Sequence, residues 1–137
     1  MARIVKSIYT GVDVTSLGEI TPTDTIDGSL APTITTLTDG ATITPNFNDS
    51  CNFTVTLGDS RTMANPTNLV AGQSGSMFIV QDATGGRTLA WGTYWKFTGG
   101  TVPTLSTTAN AVDRVDYIIK SSTEVHAVFT GDYLTGA

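Results

Sequence analysis

The chain has 137 residues, of which 39% are hydrophobic and only 14% charged, and its formal net charge is −5. This length suits one domain of ordinary size, and an acidic chain whose basic residues are scattered lacks the patch that nucleic-acid binding requires. The lone cysteine, Cys51, excludes a disulfide within the chain. No apolar run reaches the length of a membrane span, so we expect neither a nucleic acid nor a membrane as partner.

Residues 1–40 predict an extended N-terminal arm. Large apolar side chains are sparse there, and Pro22 and Pro32 would interrupt a helix. One short strand is predicted within RIVKSIYT, where Ile4, Lys6 and Ile8 alternate with Val5, Ser7 and Tyr9. The composition buries too little apolar surface to fold alone, so we expect the arm to order only on contact with another surface.

Residues 41–137 predict a compact domain of short strands, rich in threonine, a β-branched residue that favours extended backbone. The turn Gly58-Asp59-Ser60 predicts that 61–63 pairs back on the preceding strand, and 83–86 predicts a second hairpin. The apolar run GSMFIVQ (75–81) is typical of a strand buried on both faces. Short strands with frequent turns favour an antiparallel sandwich or barrel. The predicted strands are 41–44, 52–57, 61–63, 75–81, 87–91, 93–97, 114–120 and 123–130.

The sequence offers little material for nucleophilic or acid–base catalysis. His126 is the single histidine, so one chain cannot build a site from several imidazoles. Its place on the more polar side of a strand favours a solvated residue over a general base. Cys51 follows Asp49-Ser50 with no cationic neighbour to activate a thiolate. We interpret Cys51 as a small buried residue.

Two acidic pairs and a glycine pair are further candidates for chemistry. Asp113 and Asp116 could serve as acid and base in glycoside cleavage, and Asp24 with Asp27 could join a calcium site. We interpret both pairs as solvated surface or as partners of arginine. Gly85-Gly86-Arg87 lacks the strand-to-helix context of a phosphate cradle, and hairpin geometry explains its glycines. We therefore expect no catalytic residue, no metal, no cofactor and no enzymatic activity.

An aromatic cluster lies in the two consecutive predicted strands 87–91 and 93–97. Aromatic side chains can stack on the apolar faces of sugars, and they are also enriched in cores and in subunit interfaces. We favour a core and subunit-interface role and keep a glycan platform as the alternative. The residues concerned are Trp91, Tyr94, Trp95 and Phe97.

The stretch from residue 41 to residue 131 resembles a domain common in structural proteins of tailed bacteriophages. In that family a strand is followed by an R-T-x-x-x-P turn, an A-G-Q-x-G loop, a Q-D-x-x-G-G-R-T hairpin, a W-G-x-x-W-K-F strand and an N-A-x-D hairpin. The matching segments are Phe53 to Leu57, Arg61 to Pro66, Ala71 to Gly75, Gln81 to Thr88, Trp91 to Phe97 and Asn110 to Asp113. Residues 1–40 carry no such match.

The resemblance implies an all-β virion component with a β-sandwich of jelly-roll type that assembles as a homotrimer. The domain occurs both in tail-fibre tips that bind receptors and in small proteins that decorate the capsid. A short arm suits a protein that grips a surface, and negative charge is tolerated outside a DNA-filled shell. Our leading expectation is therefore a capsid decoration, or cement, protein.

In that role the trimer binds the outer surface of the shell formed by the major capsid protein and stabilises the head. The arm would anchor it, and the expected anchoring residues are Arg3, Ile4, Val5, Ile8 and Tyr9. The alternative is a short head or tail fibre knob that binds a host surface receptor or glycan. A polysaccharide depolymerase is a weaker third hypothesis, because no closely spaced acidic pair is evident.

Overall fold

The computed structural model describes residues 4–6, 13–15 and 31–133 of the chain. Two compact units are present, Met1–Ala31 and Pro32–Ala137. In the first unit, strand β1 (Ile4–Lys6) pairs antiparallel with strand β2 (Asp13–Thr15). The strand predicted near the N-terminus is thereby confirmed for Ile4–Lys6.

The second unit consists of two sheets and one short 3-10 turn, Thr98–Gly100, which is the one helical element among the described residues. The expectation of an all-β fold is confirmed. The strands of the large sheet, in spatial order, are β3 (Ile34–Thr36), β5 (Asn52–Leu57), β7 (Ser74–Gln81), β10 (Val112–Ser121), β11 (Glu124–Thr130) and β9 (Trp95–Phe97). The strands of the small sheet are β4 (Thr42–Ile43), β6 (Arg61–Met63) and β8 (Leu89–Trp91).

From β3 to β8 the chain alternates between the two sheets, adding one strand to each in turn. Strands that neighbour one another in this part are consequently parallel: β3 with β5, β5 with β7, β4 with β6, and β6 with β8. β9 also lies parallel to β11, whereas β7 with β10 and β10 with β11 are antiparallel. The expectation of an antiparallel sandwich is therefore wrong for most strand pairings, and jelly-roll connectivity is not confirmed.

Both sheets contribute to one hydrophobic core, so the unit is built as two packed layers. In β5 the residues Phe53, Val55 and Leu57 face the core and the threonines between them face outward, as the period of a half-buried strand requires. The small sheet contributes Ile43 and Met63 from its two N-terminal strands.

Two predicted hairpins are replaced by corners between the sheets. Residues 61–63 do not pair back on β5, because the amide of Thr62 donates to Ala41 and the amide of Arg61 donates to Thr88, in the flanking segments of the small sheet. Residues 82–88 likewise join β7 of the large sheet to β8 of the small sheet. The final hairpin, β10 with β11, is confirmed.

Strand β7 differs from its prediction in burial. Met77, Ile79 and Gln81 are buried, whereas Phe78 and Val80 on the other side are only half-buried. The run is apolar on both faces, but among the described residues only one face is covered by the core. The boundary of the second unit, after Ala31, also precedes residue 40, where the sequence placed the end of the arm.

Candidate functional site

The aromatic cluster lies where the edge strand β8 of the small sheet faces the edge strand β9 of the large sheet. Trp91 packs edge-to-face on Trp95, with ring centroids 5.1 Å apart, and on Phe97, with centroids 5.0 Å apart. Edge-to-face pairs of this kind match the quadrupoles of the two rings. The cluster therefore connects the two sheets between their edge strands β8 and β9.

The spacing of the aromatic residues follows from a close approach of two backbone segments. A Cβ at Gly92 would overlap Asn65, and its position would lie 2.6 Å from the Asn65 amide nitrogen. Asn65 Oδ1 accepts the Tyr94 amide at 2.8 Å, and the Trp95 indole donates to the Ala64 carbonyl at 3.0 Å. The W-G-x-x-W segment can therefore lie this close to residues 64–65 only because position 92 is glycine.

Beside the cluster lies a groove of about 310 Å³, here called the aromatic groove. Its rim includes exposed Lys96 and Val102, the latter 54% exposed. The buried Trp91 Nε1 has no hydrogen-bond partner among the described residues. Trp95 is 5% exposed and belongs to the core, while Trp91, Tyr94 and Phe97 are half-buried. The groove is lined by Trp91, Gly92, Thr93, Trp95, Lys96, Phe97, Gly100 and Val102.

A second groove, of about 580 Å³, lies along β9, β11 and β10 and here is called the sheet groove. Its apolar walls include Ile118 and Val128, and its polar groups are already paired. Asp116 accepts hydrogen bonds from Ser76 at 2.6 Å and from Arg114 at 3.1 Å. The imidazole of His126 lies 2.8 Å from a carboxylate oxygen of Glu124.

The Q-D-x-x-G-G-R motif forms a clasp at the corner between the two sheets. The Gln81 amide is buried and exchanges two hydrogen bonds with the backbone of Arg87, at 2.8 and 2.9 Å. Asp82 accepts the amides of Thr84 and Gly85 and forms an ion pair with Arg87 at 2.8 Å. The guanidinium of Arg87 and these amides lower the pKa of Asp82 to about 2. The motif is therefore a structural clasp.

The geometry of Gly85 explains why this clasp requires glycine. Its φ is +74°, a left-handed conformation that other residues adopt at a cost. A Cβ there would also lie 2.5 Å from the Thr107 carbonyl oxygen and 2.7 Å from the Ala109 nitrogen. The prediction that hairpin geometry explains these glycines is wrong, because the turn joins two sheets. The left-handed backbone of Gly85 and Gly86, with φ of +74° and +75°, explains them instead.

The structure brings Asp116 and His126 to the same sheet groove, while Cys51 and Asp113 lie outside its lining. His126 is exposed, as predicted, and with Lys120 it lowers the pKa of Glu124. Asp116 pairs with Arg114, as predicted. Cys51 is half-buried rather than buried. Asp24 and Asp27 lie outside the described residues.

The interpretation of the pair Asp113 and Asp116 as surface residues or partners of arginine is wrong for Asp113. Its side chain is 1% exposed, and it accepts the backbone amides of Ser106 at 2.8 Å and Asp132 at 2.9 Å. Neither bond involves arginine. The N-A-x-D motif therefore attaches the loop before β10 and the segment after β11 to one carboxylate.

Three of the expected anchoring residues, Arg3, Ile8 and Tyr9, lie outside the described residues, and Ile4 and Val5 form part of β1. Within residues 4–6, 13–15 and 31–133, no helix is long and apolar enough to cross a membrane. The same residues contain no group of three or more His, Cys, Asp or Glu side chains placed to hold a metal ion.

Comparison with known proteins gives one informative match. Residues 33–120 match the model of a family described as "Putative phage tail fibre C-terminal domain". No curated protein and no solved structure matches the chain. The matched segment runs from the start of β3 almost to the end of β10 and includes the clasp, the aromatic cluster and Asp113. The chain therefore belongs to this phage tail fibre C-terminal domain family and is a bacteriophage structural protein.

Proposed function

We propose that the chain is the knob of a short head or tail fibre and binds a receptor or glycan on the host surface. The family match over residues 33–120 carries this proposal, because it covers most of the two-sheet unit and names a fibre domain. It reverses the order of the two roles expected from the sequence, since capsid decoration is not confirmed. The proposed role is binding, without catalysis, by a homotrimer carried on the virion.

The aromatic groove is the surface that we propose for the receptor. Its apolar wall and exposed Lys96 together suit a sugar, whose apolar face packs on rings while its hydroxyls or acidic groups meet a cation. The Gly99-Gly100 pair that borders it has positive φ at both positions and no atoms crowding either Cβ. A ligand can therefore approach the backbone closely there.

Binding to host cells tests the receptor role directly. The full chain is labelled and its binding to host bacteria is measured before and after removal of surface polysaccharide. Val102→Asp places a charge at the rim of the aromatic groove and is expected to weaken binding at least about tenfold. Val70→Asp is the matched control, since Val70 is similarly exposed, at 61%, and does not line this groove.

Equal binding by both variants would show that the receptor site lies elsewhere, and no binding by the unmodified chain would contradict the proposed function. The copy number per purified virion separates fibre from capsid decoration. Fibres occupy a few symmetric positions, so on the order of a dozen copies are expected, whereas a coat repeated over the shell needs hundreds. Hundreds of copies would favour decoration, with the major capsid protein as partner and residues 1–40 as its anchor.

A further inference from the structure

The large sheet has an outward face, directed away from the small sheet, that carries six apolar side chains together with two ion pairs. The pairing register places Val80 opposite Val112 and Ile118 opposite His126. Val128 follows His126 by two residues in β11 and therefore lies on the same face. Ile118 is 50% exposed and Val128 is 60% exposed. The apolar residues of the outward face are Ile34, Phe78, Val80, Val112, Ile118 and Val128.

We propose that copies of this chain associate through the outward face of the large sheet. This inference rests on the proposed homotrimeric knob and assigns the interface of that knob. The sequence of β7 gives the first support. A strand that is apolar at consecutive positions is typical of a sheet covered on both sides. The small sheet covers the inner side, whereas Phe78 and Val80 on the outer side are only half-buried. On that outer side the Tyr133 ring lies over the guanidinium of Arg114, the residue opposite Phe78.

Charge is the second support and favours a second copy over a charged partner. The outward face carries Lys96, Arg114 and Lys120 against Asp116 and Glu124, a sum of +1. The chain as a whole carries −5. Two acidic copies therefore repel one another least when these faces meet. Arg114 with Asp116 and Lys120 with Glu124 already form ion pairs at 2.9 and 3.0 Å, so contact keeps these four charges paired, and Lys96 on the edge strand β9 carries the remaining charge.

The state of the polar groups distinguishes a protein partner from a glycan on this face. Sugar recognition needs free donors and acceptors beside the apolar wall. In the sheet groove, Asp116 is occupied by Ser76 and Arg114, and His126 is paired with Glu124. Lys96, which lies on the edge strand β9 and also borders the aromatic groove, donates one hydrogen bond to the Thr93 carbonyl at 2.7 Å and keeps its other donors for that groove. What the groove offers is mainly apolar surface, which suits a side chain of a neighbouring copy.

The area of the face is adequate for such an interface. Four strands, β5, β7, β10 and β11, at about 4.8 Å spacing and about seven residues of about 3.3 Å each, cover roughly 450 Å². Standard interfaces bury about 800 Å² per partner. The three-residue strands β3 and β9 add roughly 95 Å², so the whole face supplies about 540 Å² per partner. Two such faces bury roughly 1,080 Å² in total, which just exceeds the roughly 1,000 Å² expected of a biological interface.

The test compares two valines of nearly equal exposure in the full chain, Val128 at 60% and Val70 at 61%. Val128→Lys puts a cation on the outward face, while Val70→Lys puts the same cation on a loop outside it. Molar mass is measured by size-exclusion chromatography with light scattering over a range of concentrations. Val128→Lys is expected to raise the dissociation constant of the assembly at least about tenfold, and Val70→Lys to leave it unchanged. Circular dichroism verifies folding, and Val128→Thr serves as a milder variant.

Three outcomes separate this inference from the proposed function. Assembly that is lost with Val128→Lys and retained with Val70→Lys supports the inference. Assembly that survives both Val128→Lys and Ile118→Lys overturns it and leaves the homotrimeric knob intact. An unmodified chain that binds host cells while remaining monomeric at all concentrations also overturns it, and the receptor role then stands without the assembly.

Discussion

The two faces of the large sheet differ in how completely their groups are satisfied within the chain. On the inner face even the buried polar side chains, Gln81 and Asp113, have their hydrogen bonds made. On the outer face, Ile118 and Val128 remain half or more exposed in the middle of long strands. Several of the conspicuous motif residues, Gln81, Gly92 and Asp113 among them, serve the inner face and the corners. These motif residues therefore report the fold, whereas the W-G-x-x-W-K-F segment also lines the aromatic groove.

Gly75→Ala is expected to have the largest effect, because the added methyl group would overlap backbone atoms that pack against the inner face. A Cβ at Gly75 would overlap the carbonyl oxygen of Cys51, which also accepts a hydrogen bond from the Tyr117 hydroxyl. We expect a loss of at least about 4 kcal/mol in the free energy of unfolding, measured by urea denaturation. Gly40→Ala is the control, since a Cβ there meets only an ordinary contact at 3.7 Å. Similar stability of both variants would contradict the crowding.

Asp113→Ala comes next and tests the buried carboxylate of the inner face. Its removal leaves the amides of Ser106 and Asp132 without their acceptor, and we expect a cost of roughly 2 to 4 kcal/mol. Hydrogen exchange should accelerate at those two amides in particular. Asp113→Asn, which keeps one acceptor oxygen, should lose less. Unchanged exchange at both amides would show that the carboxylate does not hold these segments.

Asp113 also illustrates what the sequence could and could not predict. Strand positions were predictable, because alternation such as that of Phe53, Val55 and Leu57 reports which face is buried. Alternation does not report which strand lies alongside, and so the parallel order went unpredicted. A three-residue turn such as Gly58-Asp59-Ser60 serves a hairpin and a sheet corner equally well. The burial of Asp113 depends on Ser106 and Asp132, which only the fold brings together.

The aromatic cluster shows the same division between local pattern and tertiary context. Its sequence indicated stacking residues, and Trp91 with Phe97 do pack together. Whether each ring is free for a ligand depends on the approach of residues 64–65, which buries Trp95. The aromatic groove itself also needs Val102 from the following loop, a residue that carries no signal in the sequence.

A matched pair of truncations within β11 sharpens the comparison of the two faces. Val125 is fully buried on the inner face and Val128 is 60% exposed on the outer face. Val125→Ala is expected to cost about 2 kcal/mol at any protein concentration. Val128→Ala should cost less than about 0.5 kcal/mol in a dilute monomer, with a larger loss where copies associate. Thermal unfolding over a hundredfold concentration range measures both, and a concentration-independent effect of Val128→Ala would contradict an interface on the outer face.

The smallest expected effect is a loss of folding stability at acidic pH, caused by protonation of Asp82 in the clasp. The Arg87 guanidinium and the amides of Gly85 and Thr84 hold the pKa of Asp82 at about 2, below its ordinary value of 3.8. A carboxylate whose pKa is lower in the folded than in the unfolded chain stabilises the fold above pH 3.8, and this contribution is lost as the pH falls towards 2. Asp82→Asn removes the charge, so its deficit relative to the unmodified chain should shrink over that interval. Urea unfolding at pH 5, 4, 3 and 2 measures the difference. A deficit that stays constant from pH 5 to pH 2 would mean that the ion pair with Arg87 does not couple to folding.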